Sequence, residues 1–68
     1  MNATPDTITL ESPDHQFFRR INPDGSFEAK TLGMEWHPHD PAFIERSRVP
    51  GYVATMTKNL KWKARYSI

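Results

Sequence analysis

The chain has no cysteine, only three glycines and no apolar run approaching the length of a bilayer span. Without cysteine there is no disulfide framework, no thiolate zinc site and no thiol nucleophile. So few glycines leave no glycine-rich loop to cradle a phosphate. A membrane-spanning helix needs about 20 consecutive apolar residues, so no membrane partner is expected. Apolar residues make up 37% of the 68, below the roughly 45–50% of ordinary globular domains. One small, thin-cored domain is expected and two are excluded. The opening Met-Asn-Ala-Thr-Pro-Asp carries no basic region followed by an apolar stretch, which points to a cytoplasmic chain.

Charge of either sign is modest, at 9 Lys+Arg against 8 Asp+Glu, but it is unevenly spread. Residues 45–68 hold Arg46, Arg48, Lys58, Lys61, Lys63 and Arg65 against Glu45 alone. Residues 1–44 hold Arg19, Arg20 and Lys30 against seven carboxylates. A basic C-terminal third beneath a near-neutral total is a footprint for an acidic partner or nucleic acid. It is equally what two halves look like when they neutralise each other across a fold.

Six prolines, at 5, 13, 23, 38, 41 and 50, break up any long helix. Residues 1–6 read as a short arm and 7–68 as a single β-rich domain. Thr7 to Leu10 is β-branched and alternating, a short strand, and Ser12-Pro13-Asp14-His15 is a turn cluster. Gln16 to Ile21 and Ser26 to Leu32 flank Asn22-Pro23-Asp24-Gly25. Proline presets φ for a type I turn and glycine takes the left-handed position after it, which makes a three-residue hairpin loop. The register follows: Ile21 opposite Phe27, Arg20 opposite Glu28, Arg19 opposite Ala29, Phe18 opposite Lys30. Phe17, Ile21, Phe27 and Ala29 then share one face, and Arg20 and Glu28 form an opposite-charge pair on the other.

Residues 33–41 read as an irregular connection. Asp40 as N-cap and Pro41 at the first helical position predict a short helix over 41–48, ended by Pro50-Gly51. Tyr52 to Thr57 and Leu60 to Ile68 predict a second hairpin, because Leu60, Trp62, Ala64, Tyr66 and Ile68 alternate with Lys61, Lys63, Arg65 and Ser67. The expected fold is mainly β (α+β). About five short strands and one short helix form a small antiparallel sheet or a barrel of SH3 or OB size.

The C-terminal hairpin carries the candidate binding surface. A two-residue loop at Lys58-Asn59 would set Met56 against Lys61, Ala54 against Lys63 and Tyr52 against Arg65. A row of Lys58, Lys61, Lys63 and Arg65 beside Tyr52 and Met56 can dock on an acidic protein or grip phosphates and stack bases. The bland alternative is a solvated outer face whose lysines discourage edge pairing. Trp62 lies on the apolar side of its strand and is expected in the core. Trp36, in a proline-flanked connection, is a candidate anchor. His37 and His39, two apart on extended chain, are weak metal candidates that His15 or a nearby carboxylate would have to complete. No serine–histidine–aspartate spacing points to a nucleophile, and a chain this short has little room for a deep substrate pocket.

The expectation is therefore a non-enzymatic module without a cofactor. It would bind a larger protein or assembly as an accessory subunit or inhibitor. Small phage-encoded inhibitors and small subunits of bacterial complexes share this profile of size and thin core. The alternative is a small nucleic-acid-binding β-domain using the same basic face, and self-association is a further option for so thin a core.

Overall fold

The computed structural model describes residues 7–67; the arm expected over 1–6, and Ile68, lie outside the described residues. Five strands form one antiparallel sheet: β1 Thr7–Glu11, β2 Phe17–Ile21, β3 Ser26–Thr31, β4 His37–Phe43 and β5 Lys63–Ser67. Their order across the sheet is β4-β3-β2-β1-β5. Both β4 and β5 are edges, so the sheet is not closed into a barrel. Between β4 and β5 the chain makes one short helical segment. It starts as a 3-10 turn at Arg46–Arg48, becomes α1 at Val49–Ala54, and ends in a π-helical turn at Thr55–Asn59.

The first hairpin has the expected register, with Ile21 opposite Phe27, Arg20 opposite Glu28, Arg19 opposite Ala29 and Phe18 opposite Lys30. The Gly25 amide donates to the Asn22 carbonyl at 2.9 Å and the Asn22 amide to the Ser26 carbonyl at 3.0 Å. Gly25 takes φ +93°, and a Cβ there would stand 2.7 Å from the Phe43 ring and 3.1 Å from the Ile44 carbonyl oxygen. The exposed Phe43 ring can swing aside; the backbone strain remains. Gly25→Ala is therefore expected to cost at least about 1 kcal/mol, read from the urea midpoint. An unchanged midpoint would contradict this turn. The β1–β2 turn is held by the buried Ser12 hydroxyl, whose oxygen accepts from the Phe17 amide at 2.9 Å and whose O–H donates to the Asp14 carboxylate at 2.6 Å.

Two expectations fail here. The one short helix is present but lies later than 41–48, beginning at Arg46: residues 37–43 are extended and pair with β3, with Ala29 opposite His37, Glu28 opposite Pro38 and Ser26 opposite Phe43. Pro38 and Pro41 donate no hydrogen bond, which an edge strand tolerates. The Asp40–Pro41 peptide is cis. The second hairpin is not formed either, because Tyr52 to Thr57 is helical. Pro50 sits in the first turn of α1, where an amide hydrogen has no intrahelical partner and proline is accepted. Val49, Tyr52, Val53 and Met56 follow the i, i+3, i+4, i+7 spacing of one helix face. Val53 packs on Ile21 and Phe27, joined by Ile8, Ile44, Val49, Tyr52 and Ala64. Leu10 and Met56 are also buried. Lys61, at φ +64°, reverses the chain out of the helix, and the Trp62 amide donates to the Met56 carbonyl at 2.9 Å. The strand expected from Leu60 thus begins only at Lys63.

Candidate functional site

The register sorts the sheet into two faces, since residues directly opposite one another in neighbouring strands point the same way. Tyr66, Ile8, Ile21 and Phe27 make one row, and Ala64, Leu10, Arg19 and Ala29 the next. These rows face the helix. The other face has no helix over it among the described residues. Its rows are Arg65, Thr9, Arg20, Glu28 and Pro38, then Lys63, Glu11, Phe18 and Lys30.

This open face is both cationic and aromatic. The Arg20 guanidinium lies 4.2 Å from the Trp36 ring centroid and the Lys30 ammonium 5.6 Å from it. Lys30 is also 5.3 Å from the Phe18 ring. Such contacts hold the aromatic and the cation in place at a partly exposed surface. The carboxylates in these rows, Glu28 and Glu11, are engaged: Glu28 accepts from Arg20 Nε at 2.8 Å, and Glu11 meets His15 Nδ1 at 2.5 Å. Lys30, Lys63 and Arg65 have no ion-pair partner among the described residues. Between β1, β2 and β5 lies a shallow depression of about 260 Å³, lined by Thr9, Glu11, Phe18, Lys63, Ala64 and Arg65.

Arg20, helped by the Asn22 amide, holds the Glu28 carboxyl below the usual carboxylate range. The unfolded chain titrates Glu28 at the ordinary carboxylate value. Above that value both states are ionised and the stabilisation is fully present. It is lost as pH falls through the lowered folded value. The stability difference between wild type and Glu28→Gln should therefore shrink as pH falls below the ordinary value. A difference that stays constant across that range in urea titrations would contradict the pairing.

The expected site residues divide. Lys63 and Arg65 stand on the open face, and Trp36 joins them from the loop before β4. Lys58 and Lys61 do not continue the row: Lys58 is in the terminal helical turn and Lys61 precedes the strand. Met56 is buried at 5% exposure, so it is core and not an anchor. Tyr52 faces inward from α1, edge-on to Phe27 at 5.2 Å, with its hydroxyl accepting from Arg19 at 3.2 Å. Trp62, expected in the core, is half-buried on the helix side with Arg19 5.3 Å from its ring centroid. Phe18, Arg20 and Lys30 are site residues that sequence reasoning did not single out. The signal was present in the hairpin register, which turns them away from Ile21 and Phe27.

No group of three or more histidines and carboxylates comes together as a metal site among the described residues. The His39 ring stacks on Phe27 at 4.2 Å, and His37 Nδ1 lies 3.1 Å from the Pro38 carbonyl oxygen. On the helix side two surface clefts of about 540 and 730 Å³ flank Phe43 and Ile44. They are larger than the chain's length suggests, because so short a helix leaves part of the sheet face uncovered. Among the described residues no helix is long and apolar enough to cross a membrane. Comparison with protein-family models, with curated proteins and with solved structures returns no match for this chain, so any functional reading rests on the chemistry of the open face.

Proposed function

We propose that this chain is a small non-enzymatic protein-binding module, an accessory subunit or inhibitor of a larger protein or assembly, docking through the open face of its sheet. The observation that carries the reading is the depression over Phe18. It is wide enough for one apolar side chain and is rimmed by Lys63, Arg65 and Glu11; neither cation has an ion-pair partner among the described residues, and Glu11, opposite Lys63 on β1, is taken up by His15. An apolar anchor beside an acidic residue on the partner would fill it and meet both cations. Trp36, with Arg20 over its ring, supplies a second rigid anchor on the same face.

Nucleic acid is the second reading, favoured by cations and aromatics on one surface. One feature weighs against it: the Arg20 guanidinium lies where a base would stack on Trp36. A protein surface tolerates that arrangement. The test is affinity capture from the native host, with and without nuclease, using wild type and a Trp36→Ala/Lys63→Glu double variant in parallel. One protein retained after nuclease by the wild type and lost by the variant is the expected result. Capture abolished by nuclease, or equal capture by the variant, overturns the proposal.

A further inference from the structure

The two edges of the sheet differ. β4 carries Pro38 and Pro41, which cannot donate to a neighbouring strand. β5, Lys-Ala-Arg-Tyr-Ser, has no proline or glycine and pairs only with β1 among the described residues. Its outer backbone groups are a template for one more strand. The side chains say which strand fits. Lys63 and Arg65 project on the open face, exposed and with no ion-pair partner among the described residues, Glu11 opposite Lys63 being taken up by His15. On the opposite face are Ala64 and Tyr66, the latter 57% exposed. A strand laid beside β5 must therefore offer acidic residues on one face and apolar residues on the other. A second copy of β5 fits less well: antiparallel self-pairs centred on Ala64 or Arg65, which overlap most of the strand, set cation against cation.

We propose that β5 is a strand-addition edge that receives an extended segment of the partner protein with alternating acidic and apolar residues. This rests on the partner being a protein and adds how one of its segments binds. Glutamate or aspartate would pair across strands with Lys63 and Arg65, and valine or isoleucine would lie against Ala64 and Tyr66.

The test uses the full chain, labelled for amide NMR, and a capped nine-residue peptide alternating glutamate and valine. Two further versions are N-methylated at alternate residues, one on each edge of the peptide, and a fourth replaces glutamate with lysine. The expected result is slowed amide exchange within Lys63–Ser67 on adding the parent peptide. One methylated version should bind as the parent does and the other at least tenfold more weakly, with the lysine peptide also at least tenfold weaker. Lys63→Glu/Arg65→Glu should reverse the charge preference; if that variant is not folded by circular dichroism, Lys63→Gln/Arg65→Gln should abolish it. If both methylated peptides bind like the parent, strand addition is wrong while docking on the open face survives. No binding of the parent peptide, or slow exchange at β5 that depends on protein concentration alone, overturns the assignment of an acidic partner segment to this edge without touching the capture result.

Discussion

Phe27→Ala is expected to leave the chain without a cooperative unfolding transition at 25 °C. Phe27 is 4% exposed and lies opposite Ile21 across the first hairpin. His39 stacks on its ring from β4 and Tyr52 meets it edge-on from α1. One side chain thus ties the edge strand, the central hairpin and the helix together. Truncating a buried phenylalanine costs about 3–5 kcal/mol. A core of this size supplies little more than about 3–5 kcal/mol in total, and among the described residues the buried hydrophobic set is only Leu10, Ile21, Phe27, Val53 and Met56. Phe27→Leu keeps most of the volume and should retain a transition, lowered by roughly 1–2 kcal/mol. Urea unfolding followed by far-ultraviolet circular dichroism decides it. A cooperative Phe27→Ala transition within about 1 kcal/mol of wild type, well under the usual cost, would mean that the core lies elsewhere.

Lys63→Glu with Arg65→Glu is expected to weaken binding to the captured partner by about a hundredfold or more, since like charges facing each other across an interface cost several kcal/mol. Both side chains are exposed, so stability should stay within about 0.5 kcal/mol. Wild-type affinity should also fall with rising salt, because the contact is at the surface. The informative control is Lys58→Glu with Lys61→Glu. These residues carry the same charge close by in sequence but stand outside β5, and their reversal should change affinity less than threefold. Equal losses in the two double variants, measured by calorimetry, would mean that net charge and not the open face governs binding.

Local chemistry made the central hairpin legible. Pro23, Asp24 and Gly25 specify one turn, that turn specifies one register, and the register puts Arg20 beside Glu28. The alternation of Lys63, Ala64, Arg65 and Tyr66 likewise located β5 and the direction of its cations. The helix was misplaced because two capping signals compete. Asp40-Pro41 resembles a helix start, yet pairing with β3 and the stacking of His39 on Phe27 draw that segment into the sheet. Pro50-Gly51 resembles a helix stop, yet proline in a first turn opens a helix as readily as it ends one. The spacing of Val49, Tyr52, Val53 and Met56 would have decided between them. The open face was half legible. Phe18, Arg20 and Lys30 follow from the hairpin register, but their meeting with Lys63 and Arg65 depends on β5 pairing with β1, more than fifty residues away in sequence. No local pattern encodes that contact.

Cross-saturation NMR on the complex with the captured partner tests the docking face most directly, by reading which protons of this chain lie against the partner. Attenuation should concentrate on the Trp36 indole and on the amides of Phe18, Lys30 and Lys63–Ser67, leaving Tyr52 to Lys58 unaffected. Attenuation centred on the helical segment or on Phe43 and Ile44, with the open face silent, would contradict it.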